Sequence, residues 1–318
     1  MEPQRDGEGE SPGPGAGGAP GDGSHAESGE PPFTLSLQEQ PSIPVLLAVP
    51  HAGRAYPPGL LARMRHPGLA SLRLEDRFID LVAQEVARET GAALLIAHAP
   101  RAMIDLNRTP DDMDWEMIVG GAPGNAARLS AGSRARNGLG LIPRRLPGIG
   151  ELWQRRMPRD ELETRLARVH RPYHAALAQA LEHLRDRWGT ALLIDLHSMP
   201  PLGPKNGPDG APDFVVGDRF GASCASHLSA AALHHFSEVG RAVAHNRPYA
   251  GGYVLDQHGA PARGIHAMQI EVCRSAYLNA RLSEVGPGLP VVARVLAALV
   301  RRLAGELAAG WGMAQAAE

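Results

Sequence analysis

The chain has 318 residues, 32 of them basic and 34 acidic, for a net charge of −2 near neutrality. That balance gives no general attraction to nucleic acid or to an anionic membrane, and no run of about 18 apolar residues is present to span one. The two cysteines, Cys224 and Cys273, lack metal-type spacing and fit a reduced, cytoplasmic protein.

Residues 1–35 are dominated by Gly, Pro, Ser and Glu, which bury too little apolar surface to offset the entropy of ordering. They are expected to form a disordered tail, and they carry no basic segment followed by an apolar one, so they are not a signal peptide. Residues 36–318 are expected to form a single domain. Pro44 to His51 reads as a first strand, and Leu72 to Thr90 as one amphipathic helix stopped by Gly91. Ala92 to Ala97 reads as a strand, Arg101 to Arg108 as another, and residues 111–150 as long loops near the site. Arg144-Arg145 and Arg155-Arg156 read as solvated loop charge.

Asp160 to Trp188 carries a helical apolar stripe that Pro172 should kink or split. The strand Ala191 to His197 follows, then a Pro/Gly loop from Met199 to Pro212, a short strand at Phe214 to Val216 and a helix from Ser223 to Val239. A strand around Val243, a turn at Gly251-Gly252, a strand at Ile265 to Val272 and a helix from Pro290 to Ala308 complete the chain. The alternation predicts a three-layer α/β domain with a mixed, mostly parallel central sheet flanked by helices.

Chemistry-bearing side chains gather at strand ends, where open α/β sheets bind ligands. His51 ends the first strand, with Gly53 beyond it allowing close backbone approach. Asp195 and His197 share a strand face, a pattern in which a carboxylate fixes the tautomer of a ligand imidazole. Gln269 and Glu271 share one face of their strand, opposite Met268, Ile270 and Val272. A carboxylate buried there needs water, a cation or a substrate, whereas a half-exposed strand would simply solvate it. A catalytic zinc needs a third protein ligand, for which Glu75, Asp76 and Asp80 all qualify by position. His170 and His174 flank Pro172 and lack a following Glu, so they are expected to pack or hydrogen-bond, and His234-His235 is read as surface.

Taken together, Pro50-His51-Ala52-Gly53, Glu75 through Asp80, Asp105-Leu106-Asn107-Arg108, Asp195 through Met199, Gly217-Asp218-Arg219, Asn246 through Tyr253 and Gln269-Ile270-Glu271 resemble the N-formylglutamate amidohydrolase family. The resemblance runs in order from about residue 43 to 280. The family is similar to zinc carboxypeptidases and aspartoacylases, and the resemblance implies a mixed eight-stranded sheet. It implies one divalent metal, zinc by preference, held by His51, Asp76 and His197, with Asp195 behind His197 and Glu271 as the catalytic carboxylate. Substrate binding would fall to Asn107, Arg108, Arg101, Asn246, Arg247, Tyr253 and Gln269. The implied reaction is hydrolysis of a small anionic N-acyl amino acid, N-formyl-L-glutamate by preference, as in amino-acid catabolism and histidine degradation. The alternatives are an amidohydrolase for another N-acyl amino acid or peptide, and a metal-binding protein without turnover. No nucleic acid or membrane partner is implied, and oligomeric state is left open.

Overall fold

The computed structural model describes residues 31–122, 124, 132–205 and 210–315. The stretch 1–30 of the expected tail, and the loop residues 125–131 and 206–209, lie outside the described residues.

The strands of the main sheet are β1 (Phe33–Ser36), β2 (Val45–Val49), β3 (Ala93–Ala97), β6 (Ala191–Met199), β7 (Phe214–Gly217), β8 (Val243–His245) and β9 (Ile265–Cys273). A separate pair, β4 (Arg145–Leu146) and β5 (Gly150–Glu151), forms a small hairpin. The main sheet has seven strands in the order β1-β3-β2-β6-β9-β7-β8, against the eight implied by the family resemblance. β3, β2, β6 and β9 are parallel neighbours, β1 and β7 join antiparallel to β3 and β9, and β8 is parallel to β7. The sheet is therefore mixed and mostly parallel, as the alternation predicted. A boundary between residues 35 and 36 would fall inside β1, whose Phe33 pairs with Ala97.

The central strands are buried on both sides, which suits their nearly continuous apolar sequences. Val45, Leu47, Leu192, Ile194, Met268 and Ile270 face one core, covered by α3 (Ile79–Thr90), α7 (Ser226–Glu238) and α9 (Leu289–Gln315). Leu46, Ala48, Leu193 and Ala267 face a second core built on α6 (Arg171–Trp188). Toward the carboxyl ends of β6 and β9 this second face turns polar, with Asp195, His197, Gln269 and Glu271 in place of aliphatic side chains. The site sits there.

Four local expectations are corrected. The single helix over Leu72–Thr90 is broken into α2 (Pro67–Leu74) and α3, with Phe78 in the left-handed region at φ 58°. The break is held from outside: Asp76 N donates to His51 O at 2.9 Å, and the Arg274 guanidinium donates to Glu75 O at 2.6 Å. The segment Arg101–Arg108 is a run of turns rather than a strand, because the buried Asp105 carboxylate accepts the Asn107 N–H at 2.8 Å and curls the chain. Tyr253–His258, a stretch given no element between the Gly251-Gly252 turn and the strand at Ile265, is a short helix, α8. His235 is buried and donates to Val295 O at 3.0 Å, so only His234 of that pair is a surface residue. Arg144 likewise is no simple solvated charge, since it pairs with Asp114, Glu116 and Glu151.

The Pro172 expectation holds. The helix α5 (Arg159–Arg165) passes through a π turn, Leu166–His170, before α6 resumes with the proline in its first turn. The π turn lies just ahead of Pro172, whose missing N–H deprives a carbonyl of the preceding turn of its donor.

Candidate metal centre and active site

β2, the break between α2 and α3, and β6 each deliver one side chain to a common point. His51 leaves the end of β2, Asp76 hangs from the helix break, and His197 lies near the end of β6. One donor atom from each lies within 4.8 Å of the others, and all three residues are buried. His197 Nδ1 is 3.1 Å from Asp76 Oδ2, His51 Nδ1 is 3.7 Å from the same oxygen, and the two imidazole rings are 4.7 Å apart.

The distal nitrogens explain this orientation. His51 Nε2 donates to Asp105 Oδ1 at 2.7 Å, and His197 Nε2 donates to Asp195 Oδ2 at 2.9 Å. Each imidazole thus gives its Nε2 proton to a buried carboxylate and turns Nδ1 toward Asp76, His197 Nδ1 standing within hydrogen-bond reach of Oδ2 at 3.1 Å. This is the usual carboxylate–histidine–metal arrangement. The buried Nδ1 of His51 has no hydrogen-bond partner among the described residues, a costly omission unless a cation satisfies it. Burial disfavours an imidazolium at His197, yet Asp195, Asp76 and Glu271 outweigh it and raise its pKa well above the ordinary value. Burial also works against the Asp76 carboxylate, but His197 and His51 hold its pKa well below the ordinary carboxylate range. The spot favours positive charge, and two imidazoles with one carboxylate and an open side can hold a divalent metal ion.

Glu271 is the register partner of His197 across β6 and β9, so their side chains emerge side by side on one face. Burial pushes its pKa up to about 7, against the pull of His197 and with help from Asp76. Its Oε1 accepts a 2.9 Å hydrogen bond from Gln269 Nε2. The half-exposed, solvated strand face is excluded, because Gln269 and Glu271 are both buried.

These residues line a cavity of about 250 Å³ whose wall also carries Asn107 and the arginines Arg73, Arg101, Arg108, Arg134 and Arg274. Arg101 Nε donates to Asp105 Oδ2 at 2.9 Å, and Arg108 donates to the carbonyls of Leu139 and Asn107. Burial lowers the Arg108 pKa, Asp105 opposes the shift, and Arg101 and Arg134 add to it, a sign of positive charges gathered around few carboxylates. Asn107 Oδ1 accepts the Val254 N–H at 2.9 Å, while its Nδ2 lies 3.4 Å from both His197 Nε2 and Gln269 Oε1. A Cβ on Gly252 would sit 2.6 Å from Asn107 Oδ1, so only glycine lets α8 approach this closely.

Three expected substrate contacts are placed elsewhere. The Asn246 amide is occupied by Asp218, donating to its Oδ1 at 2.8 Å and accepting its N–H at 3.0 Å, and it builds the turn after β7. Arg247 is exposed and does not line the cavity. Tyr253 packs on His170 and His174, and Tyr249 is the tyrosine on the cavity wall. Glu75 pairs with Arg77 at 2.8 Å and Asp80 with Arg54 at 2.7 Å, so of the three acidic candidates Asp76 is the one that faces the two imidazoles.

Two contributors escaped the sequence. Asp105 lay inside a motif without a role, and its partner is 54 residues away. Arg274, just past β9, donates to Asp76 Oδ1 at 3.1 Å and to Ser198 Oγ at 3.1 Å, steering the other Asp76 oxygen toward the histidines.

Comparison with known proteins agrees with this geometry. The N-formylglutamate deformylase of Pseudomonas putida is 33% identical over 246 residues, covering 76% of this chain and 84% of that protein. Its counterpart from Pseudomonas aeruginosa is 30% identical over 241 residues, covering 74% and 83%. The crystal structure of N-formylglutamate amidohydrolase from Ralstonia eutropha superposes with a TM-score of 0.78 at 34% identity, covering 88% of this chain and 99% of that one. A gene product from Agrobacterium tumefaciens shares the fold, with a TM-score of 0.64 at 16% identity over 87% of this chain and 96% of that one. The family pattern described as N-formylglutamate amidohydrolase matches residues 43–278. The chain belongs to the N-formylglutamate amidohydrolase family and is a hydrolase of C–N amide bonds.

Proposed function

We propose that the protein hydrolyses N-formyl-L-glutamate to formate and L-glutamate, using one zinc ion held by His51 Nδ1, Asp76 Oδ2 and His197 Nδ1. The observation that carries this reading is the orphaned, buried imidazole nitrogen of His51 facing Asp76 and His197 in an arginine-rimmed cavity that also holds Glu271. The deformylase names of its Pseudomonas relatives supply the substrate.

When bound, a divalent cation there supplies Lewis acidity, which lowers the pKa of water from about 15.7 toward about 7 and polarises an acyl oxygen. Asp105 and Asp195 keep both imidazoles in the Nε2–H tautomer, and Arg274 fixes the carboxylate. Glu271 accepts the proton of the water that attacks the formyl carbon. As the new C–O bond forms and the C–N bond breaks, Glu271 returns that proton to the departing amine nitrogen. Arg101, Arg108 and Arg134 offer guanidinium donors to the two substrate carboxylates, with Asn107 and Gln269 orienting the amide. The surplus of arginine over carboxylate favours a dianion over a neutral amide.

Release of formate from N-formyl-L-glutamate by the zinc-loaded protein, measured beside N-acetyl and N-succinyl amino acids, tests the assignment. Hydrolysis of the acetyl or succinyl compounds alone assigns the site to another acyl group. Metal binding without release of any acid assigns it to a binding protein.

A further inference from the structure

A chain of imidazoles outside the cavity ends on the loop that orients both ligand histidines. His170 Nε2 donates to Arg108 O at 2.9 Å, and His174 Nε2 donates to Leu106 O at 3.0 Å, so the two residues grip the carbonyls on either side of Asn107. Because His174 Nε2 carries a proton as donor, its Nδ1 is a lone-pair acceptor. His258 Nε2, 2.9 Å away, must then be the N–H donor to it. All three imidazoles are buried, and Tyr253 of α8 packs on the rings of His170 and His174, at 5.7 and 5.0 Å between centroids. The next residue, Val254, donates its N–H to Asn107 Oδ1.

The gripped loop carries Asp105, the acceptor for His51 Nε2, and Asn107, whose amide nitrogen lies 3.4 Å from His197 Nε2. A displacement of the Leu106 carbonyl therefore moves the carboxylate that sets the tautomer of one metal ligand and the side chain that abuts the other. His170 closes the π turn and His174 lies four residues on in the first turn of α6, and both imidazoles reach the loop.

We infer that His174, locked in its Nε2–H tautomer by His258, is a positioning residue for the metal centre, with His170 as its companion on the same loop. The neutral state this needs is secured by burial, which pushes His174 down to about 3 and His258 to about 4.

The inference rests on the metal-centre reading, so its test measures zinc affinity as well as turnover. In His174→Gln the side-chain amide can still donate to Leu106 O, whereas His174→Leu removes the donor. With a chromophoric chelator as competitor, His174→Leu is expected to bind zinc about 10–100-fold more weakly, the range for outer partners of metal ligands. It is expected to lose kcat on N-formylglutamate to a similar extent with little change in KM, while His174→Gln recovers most of both. Equal zinc affinity and kcat in folded His174→Leu and wild type would overturn the inference. So would equal losses in the Leu and Gln variants. Should His174→Leu fail to fold, His258→Leu carries the test, since it keeps His174 and its bond to Leu106 O but removes the N–H donated to His174 Nδ1. An unchanged zinc affinity there, or a 15N spectrum of wild type showing His174 protonated at Nδ1, overturns it as well. Wild-type protein that binds zinc but releases no formate would refute the substrate assignment and leave this inference standing.

Discussion

His197 and Glu271 are register partners on the adjacent parallel strands β6 and β9, which places a metal-type imidazole and a buried carboxylate side by side in the wall of one cavity. Their closeness separates two jobs that single substitutions can distinguish. Glu271→Gln keeps the size and the hydrogen bond to Gln269 but cannot carry a proton between water and amine. Zinc content is expected to stay near one per chain while kcat falls by about 10²–10⁴-fold. Turnover within tenfold of wild type would move the base elsewhere.

Asp105 is buried behind the proposed ligand set, where its charge is shared between His51 and Arg101. Asp105→Asn can offer His51 Nε2 an amide N–H instead of an acceptor, which would release the fixed tautomer. A loss of about 10–100-fold in zinc affinity is expected, measured by competition with a chelator. Unchanged affinity would show that the carboxylate is there for packing alone.

Arg134 lines the cavity and makes no ion pair among the described residues, so replacing it disturbs little besides a bound anion. Charge-assisted hydrogen bonds contribute about 1.5–3 kcal/mol, which predicts a rise of roughly 10–100-fold in KM for N-formylglutamate in Arg134→Gln. If Arg134 meets the side-chain carboxylate, N-formylglutamine is affected far less. Equal losses on both substrates would assign Arg134 to the α-carboxylate that the two share.

The buried pair His174 and His258 predicts how the metal-free protein responds to acid. Their folded pKa values, about 3 and about 4, lie below the ordinary value, so the unfolded chain takes up protons first as pH falls. The stability these two imidazoles contribute is full above about pH 6.5 and declines toward pH 4, by about 2 kcal/mol per imidazole at pH 5. In denaturant titrations of chelated protein, the change in stability from pH 7 to pH 5 should be less favourable for wild type than for His258→Gln. A steeper decline in the variant would contradict the pairing.

Much of the sheet is legible because β2, β6 and β9 are apolar on both faces, and the departures from apolarity at Asp195, His197, Gln269 and Glu271 mark the site by themselves. Asp76 is different. Spacing alone leaves Glu75, Asp76 and Asp80 equivalent, and the choice is made by a helix break at Phe78 held by His51, Arg274 and Tyr277. Those contacts span up to 200 residues, beyond the reach of any local periodicity. The same holds for the turn that buries Asp105, and for the exchange of Tyr253 by Tyr249 on the cavity wall, where side-chain direction depends on how irregular segments pack. The motif around Asn246 is real, but it braces the turn at Asp218 instead of reaching the cavity.

In the proposed centre, His51, Asp76 and His197 together grip a single cation. Elemental analysis of the wild-type protein and of Asp76→Ala and His197→Ala, each dialysed against the same trace of zinc, tests it directly. One zinc per wild-type chain is expected, and almost none in either variant. Full zinc occupancy in both variants, or a wild-type protein that takes up no divalent metal at all, would contradict it.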